Sequence, residues 1–307
     1  MTTRSQESNK DPVRLCLRWG MLFFAISTGC QQRVAIREIE SLDGKVLVDS
    51  RSGHVVEVYL SGTRATDADL LYVKEFPYLH RLLLSNTKIT DTGLAYLKGL
   101  TRLRILAIGG TQVTDAGMMY LRGMTLLKKL DATQTKITDA GLGHLKELTT
   151  LEIVYLGFNN ITDVGVGNLN GLVNLLSLDL RCTKVTDAAM LYLQNCTKLR
   201  HLYLPGTNVS NVGVERLKGL TQLETLDLAE TKVTNAGLVH LKELGKLRSL
   251  NLGNTAITDD GLQHLNGLSN LQWLNVENTN VTDAGVRMLK KTFPQCEIVY
   301  HQRQKGN

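Results

Sequence analysis

Aromatic residues are scarce in this chain of 307 residues, at 5%, and there are only four prolines. The 43% of hydrophobic residues must therefore build an aliphatic core. No CxxC, no HExxH and no glycine-rich phosphate loop occurs, which removes the usual redox, zinc-protease and nucleotide-binding signatures. His80, His144, His201, His240 and His264 share no metal-ligand spacing. The formal charge of +6 is spread without a block of like charges, unlike a nucleic-acid-binding chain. The longest N-terminal apolar run, Trp19 to Ile26, is too short for a bilayer, which takes ~20 residues. These absences predict no enzyme, no cofactor, no metal and no nucleic-acid partner.

What the chain has instead is repetition. A hydroxyl residue recurs every 24 residues, at Thr66, Thr90, Thr114, Thr138, Thr162, Thr186, Ser210, Thr234, Thr258 and Thr282. An acid or amide follows each, from Asp67 to Asp283, with Asn211 and Asn235 as the two amides. Three residues before each hydroxyl stands a threonine, replaced once by Asn159. The unit reads L-x-x-L-x-L-x-x-T-x-I/V-T-D-x-G-L-x-x-L-x-x-L-x-x. Leu106 and Ile108 alternate as in a strand, whereas Leu94, Leu97 and Leu100 are spaced by three as on a short helix. Each unit is then a strand, a turn and a helix, and none can bury its apolar side without neighbours, so the units must stack as a solenoid. The Thr87-type hydroxyl is expected to bond backbone of its own and adjacent turns. Thr90-type residues suit a helix N-cap, and the following acid suits the positive end of the helix dipole. A calcium ladder is the alternative, though such sites need several converging oxygens per ion.

The ten units resemble bacterial leucine-rich-repeat proteins with TDxGL-type repeats, close to the cysteine-containing and F-box-associated kinds. The resemblance covers about residues 55–300 and implies an α/β horseshoe with a parallel concave sheet and short convex helices. It also implies a non-catalytic, monomeric protein that binds other proteins. No F-box-like helical segment precedes the repeats, so an adaptor role is not carried over.

The division expected is a signal peptide over 1–29, an anchor and N-terminal cap over 30–53, repeats over 54–290, and a capping strand with polar tail over 291–307. Within the cap, Ala35 to Leu42 reads as a helix and Lys45 to Asp49 as a strand. Cys296, Ile298 and Tyr300 stand 24 residues after Gln272, Leu274 and Val276, which predicts a last strand. Arg14 and Arg18, the apolar run, and Ser27-Thr28-Gly29-Cys30 have the form of a secretory signal. The ending is similar to a bacterial lipoprotein signal and implies lipid on Cys30 and a membrane partner, although Ser27 stands where such signals usually carry an aliphatic residue. Gln31, in place of Asp, implies an outer-membrane or periplasmic address on the envelope. Ordinary secretion, or a cytoplasmic scaffold starting at Met21, are the alternatives. Cys196 aligns with the buried Leu100 and Cys182 with Gly110 at a strand end, so no bridge between them is expected.

Function should lie on the outward strand positions, where packing does not dictate the residue. The middle column runs Tyr59, Leu83, Ala107, Asp131, Tyr155, Asp179, Tyr203, Asp227, Asn251 and Asn275. Tyr155, Phe158, Tyr203 and Trp273 are the candidate aromatic anchors. Asp131, Asp179 and Asp227 would form an acidic stripe favouring a basic or hydroxyl-rich partner. Asn251 and Asn275 complete the set. The partner expected is a protein or peptide, with carbohydrate or peptidoglycan as the alternative.

Overall fold

A computed structural model describes residues 28–301. Twelve strands form one sheet in strict chain order. β1 (Lys45–Val48) and β2 (Val55–Tyr59) make an antiparallel hairpin. Every later pair is parallel: β3 (Arg81–Leu83), β4 (Ile105–Ala107), β5 (Lys129–Asp131), β6 (Ile153–Tyr155), β7 (Ser177–Asp179), β8 (His201–Tyr203), β9 (Thr225–Asp227), β10 (Ser249–Asn251), β11 (Trp273–Asn275) and β12 (Glu297–Val299). The register advances by one repeat per strand, so Tyr155 pairs with Asp179 and Asp179 with Tyr203.

Within each strand from β3 to β11 the central residue, such as Leu106 or Leu202, is fully buried while its neighbours face outward. Leu103, Leu106, Ile108, Val113, Met118, Leu121 and Met124 show the pattern of one whole repeat, and each is 0% exposed. The short helical segments, such as Asp91–Ala95, close the other side of this aliphatic core. A helix is ~10 Å across, whereas strands lie ~4.8 Å apart. The stack therefore curves toward the sheet, which becomes the inner wall.

Both ends are covered. The helix Thr28–Glu40 lays Ala35 and Ile39 over the first repeat and packs against the helix Leu70–Val73. It begins earlier than the Ala35–Leu42 expectation, and Cys30 falls in its first turn. Residues 1–27, which carry most of the expected signal, lie outside the described residues. At the far end the helix Asp283–Thr292 and the buried Phe293 seal the last layer, and β12 completes the sheet.

The polar columns divide their work differently from the sequence expectation. Thr87, Thr111, Thr183, Thr207, Thr231, Thr255 and Thr279 each donate only to a carbonyl three residues back, within their own turn. Among the described residues of that column only the Thr135–Asn159 pair spans two repeats: Asn159 donates to Ala132 O at 2.7 Å and accepts from the Thr135 N–H and hydroxyl. The tie between repeats comes instead from the acids, which do more than sit at a helix dipole. Asp115 accepts the Thr138 backbone N–H at 2.7 Å on Oδ1 and the Thr138 hydroxyl at 2.6 Å on Oδ2. The same pair of bonds joins Asp67 to Thr90, Asp91 to Thr114, Asp139 to Thr162, Asp163 to Thr186, Asp187 to Ser210 and Asp259 to Thr282. Each is a charge-assisted bridge between neighbouring turns. Thr138 also caps its own helix, accepting from Ala140 N at 3.4 Å.

Asn211 and Asn235 keep the bridge with reversed polarity. Each accepts the backbone N–H of Thr234 or Thr258, but its amide now donates to that residue's hydroxyl. Thr234 and Thr258 then make no side-chain cap bond. The bridges also explain the recurring glycine. A Cβ on Gly141 would collide with Asp115 Oδ1 and the Ile137 side chain. Where Ala189 replaces that glycine, the helix starts two residues late, at Ala189 itself.

Gly141→Ala is therefore expected to lower unfolding free energy by ~1–3 kcal/mol. Gly123→Ala, where an added Cβ meets nothing within 4 Å, should change it by no more than ~0.5 kcal/mol. Urea melts of the two variants test the difference, and equal effects would contradict the close-approach explanation.

Candidate functional site

The strand register sets two outward columns on the inner wall. Arg81, Ile105, Lys129, Ile153, Ser177, His201, Thr225, Ser249 and Trp273 form one, and the Tyr59-to-Asn275 series forms the other. Polar and aromatic contacts on this wall gather in two places: on β2 and β3, where Arg81 donates to Glu57 at 3.0 Å and to Tyr59 Oη at 3.1 Å, and on β5 to β9. Lys129 Nζ lies 5.0 Å from the Tyr155 ring centroid, and Arg181 Cζ lies 5.5 Å from that of Tyr203. Arg181 Nε donates to Asp179 Oδ2 at 2.7 Å. Its aliphatic stem crosses Gly157, where a Cβ would overlap Arg181 Cγ. A glycine in one repeat thus gives room to a guanidinium from the next, a relation hidden by 24 residues of separation.

The expected acidic stripe is discontinuous. Asp179 is only 7% exposed and is neutralised by Arg181, because the turn that ends β7 brings the Arg181 backbone and side chain back onto it. Asp227 is half-buried and forms no ion pair among the described residues. Burial pushes both carboxyls above the ordinary range; at Asp227 Glu230 adds to this, while the Ala229 N–H, Asn251 and Arg181 oppose it. Burial likewise raises the Tyr203 phenol, with Tyr155 and Asp179 contributing. Asp131, Asp179, Asp227, Asn251 and Asn275 share a local duty: each accepts the backbone N–H two residues on. That Asx-type bond ends the strand and accounts for the short polar residue in this column.

The bend that follows places one residue per repeat in the left-handed region. Gly62, Gly110 and Gly206 meet this without strain, and Asn86, Asn254 and Asn278 tolerate it. Gln134, Phe158, Cys182 and Glu230 occupy the same conformation. Phe158, at φ 59°, is the bulkiest of them, and 53% of its surface is exposed. Tyr155, Tyr203 and Trp273, expected as exposed aromatics, are half-buried instead; Lys129 lies over the Tyr155 ring and Arg181 over that of Tyr203. The structure brings Tyr155, Phe158, Asp179 and Tyr203 onto consecutive repeats with Asp227 next in line. Asn251, Asn275 and Trp273 lie further along, on β10 and β11, and form no joint cluster with the tyrosines.

Cys182 is exposed at a strand end and Cys196 is buried; both are free thiols. Burial raises Cys196 to about 11. Among the described residues, no group of three His, Cys, Asp or Glu side chains is arranged to hold a metal ion, and no helix is long and apolar enough to cross a membrane.

Comparison with known proteins places this geometry in a wider set. Two family profiles, each described as leucine-rich repeat, match residues 149–209 and 246–265. The curated proteins give no match by sequence. Among solved structures, the LRR ectodomain of the Arabidopsis receptor kinase HAESA, in complex with an N-terminally extended IDA peptide hormone, is similar with TM-score 0.65 at 16% identity. That similarity covers 89% of this chain and 49% of the other. The PEPR1–AtPEP1 structure matches with TM-score 0.54 and 16% identity, over 84% of this chain and 36% of that one. The chain therefore spans half or less of these two receptor chains. An internalin, inlF from Listeria monocytogenes, aligns over 96% of this chain and 94% of its own, at 18% identity and TM-score 0.45. The fold is that of a leucine-rich-repeat solenoid.

Phe158→Asn should stabilise the protein, because asparagine is the chain's own solution at this bend. A gain of ~0.5–1 kcal/mol, or about 1–4 °C in unfolding temperature, is expected by calorimetry. A loss would mean the phenyl ring contributes packing that its exposure does not reveal. The raised carboxyl of Asp227 predicts a pH effect. The folded protein binds its proton more tightly than the unfolded chain, so stability falls as pH rises from the unfolded value, near 3.9, through the folded one. Asp227→Asn, which can keep the Ala229 bond, should therefore raise the urea midpoint at pH 7 and lose that gain toward pH 3. A pH-independent difference would contradict the burial effect.

Proposed function

We propose that this leucine-rich-repeat solenoid is a binding module rather than an enzyme, taking a protein or peptide segment along its inner wall. Phe158, Tyr155 and Tyr203 serve as apolar anchors, and Arg181 and Asp227 provide polar partners. The observation that carries the reading is Phe158. A large aromatic in the left-handed region costs ~1–2 kcal/mol, and here it gains little burial in return. Strain of this kind gathers at sites of contact, and exposed aromatics are the residue type that anchors interfaces. Likeness to the HAESA ectodomain, which holds a peptide hormone ligand, supports the fold as a suitable platform. We further propose that acylation of Cys30 tethers the module to the cell envelope. The basic, apolar and small-residue succession before Cys30 supports that reading.

The test of the binding reading uses the full chain as bait against envelope extracts, followed by affinity measurement on the partner obtained. Phe158→Asn and Tyr203→Ala should each weaken binding at least ~10-fold while leaving the fold intact. Undiminished affinity in both variants would overturn the assignment of this face. Selective loss of glycan binding in the same variants would redirect it to carbohydrate. For the tether, intact mass of the product made from the full-length gene should show loss of residues 1–29 and acyl chains on Cys30. An unmodified N-terminus would end the envelope reading and leave the inner-wall reading untouched.

A further inference from the structure

The turns that close the helical segments place residues 24 apart in one exposed row. That row begins Lys74, Lys98, Arg122, Lys146, continues Asn170 and Gln194, and then carries Lys218 and Lys242. Its two halves differ. Lys218 lies 3.7 Å from Glu215 and Lys242 lies 4.0 Å from Glu243. Lys74 has a comparable contact with Glu75 at 4.0 Å. Among the described residues, Lys98, Arg122 and Lys146 form no ion pair with a carboxylate. Arg122 Nε donates to His144 Nδ1 at 3.0 Å, and burial holds that ring's pKa down, with Arg122 contributing, so the guanidinium keeps its charge unneutralised.

Three further features mark this half of the row. Exposed Arg102, four residues after Lys98, adds a further cation in these repeats, with its guanidinium 4.7 Å from the Tyr78 ring centroid. Gly99 and Gly123 follow the cations directly, and no other atom crowds those positions. One helical turn before the cations, Leu71 and Met119 are 39% and 49% exposed on the same outer side. The helix carrying Cys30 packs against Leu70–Val73, immediately before Lys74. Successive cations repeat at the spacing of the stack, between ~5 Å at the sheet and ~10 Å at the helices.

We propose that this convex row is a docking surface for anionic lipid headgroups. Lys98, Arg122 and Lys146 meet the phosphates, Leu71 and Met119 reach the boundary between headgroups and acyl chains, and the solenoid lies with its inner wall free. The location at a membrane rests on the envelope reading above, but the charge complementarity does not depend on acylation. A basic patch adds electrostatic attraction to anionic headgroups, independent of any acyl anchor, and sets how the solenoid lies on the surface.

The test uses full-length protein carrying Cys30→Ser, which has no acyl group, with phosphatidylglycerol vesicles and neutral phosphatidylcholine vesicles. Binding to the anionic vesicles only is expected, weakening as salt rises from about 0.05 M to about 0.5 M. Lys98→Glu, Arg122→Glu and Lys146→Glu combined should reduce it ~100-fold, with an unchanged unfolding midpoint. Lys218→Glu with Lys242→Glu should leave it unaltered. Absence of vesicle binding, equal binding to neutral vesicles, or full binding by the triple variant would overturn the proposal. So would equally tight binding, per phosphate, of polyphosphate in solution, which would assign the row to a soluble anionic polymer. If mass analysis shows no acylation yet vesicle binding holds, only the anchor reading fails.

Discussion

The carboxylate that reaches from one repeat to the next sets the terms for the rest of this structure. Asp115 ties the backbone and side chain of Thr138, and it needs Gly141 to approach that closely. Aliphatic burial supplies the drive to stack, but it is non-directional and would tolerate sliding. A bidentate bridge at each level fixes the register, and fixed register aligns the strand columns. The inner wall is therefore a consequence of polar contacts made on the opposite side of the bend.

Much of this was legible in the linear sequence. The 24-residue phase, the inward leucines of each strand and the position of the last strand follow from periodicity alone. Other features were not, and for a common reason. The partner of Asp91 is Thr114, the room for Arg181 is made by Gly157, and the neighbour of Lys98 is Arg122. Each relation joins residues about one repeat apart, so local propensity reads Asp91 as a dipole companion and the cations as scattered. The left-handed bend was also hidden, because only three of its ten positions carry glycine. Burial of Asp179 required knowing that Arg181 folds back over its own strand.

The candidate site follows from a division of labour within each turn. Core and bridge positions are nearly invariant from repeat to repeat, whereas the inner wall changes residue at every step. Part of that variety is local chemistry, since the Asp and Asn side chains end their own strands. What remains after that duty is removed is the Arg81–Glu57–Tyr59 group at one end and a short aromatic and cationic stretch from Lys129 to Tyr203, with Phe158 held in an unfavourable conformation at its edge. The outer row faces away from this stretch, so the two surfaces need not compete for one partner.

The amide bridges at Asn211 and Asn235 have a mechanical consequence. Neutral hydrogen bonds are about half as strong as charge-assisted ones, and the helix caps beside them are unmade. In a one-dimensional stack the total is a sum of nearest-neighbour terms, so compliance is unevenly distributed along the array. The seven aspartate levels behave as stiff links and the two asparagine levels as a soft joint. That joint falls between β8 and β10, beside Asp227. Bending there would change the curvature of the inner wall at one end of the aromatic stretch while leaving the capped N-terminal half rigid.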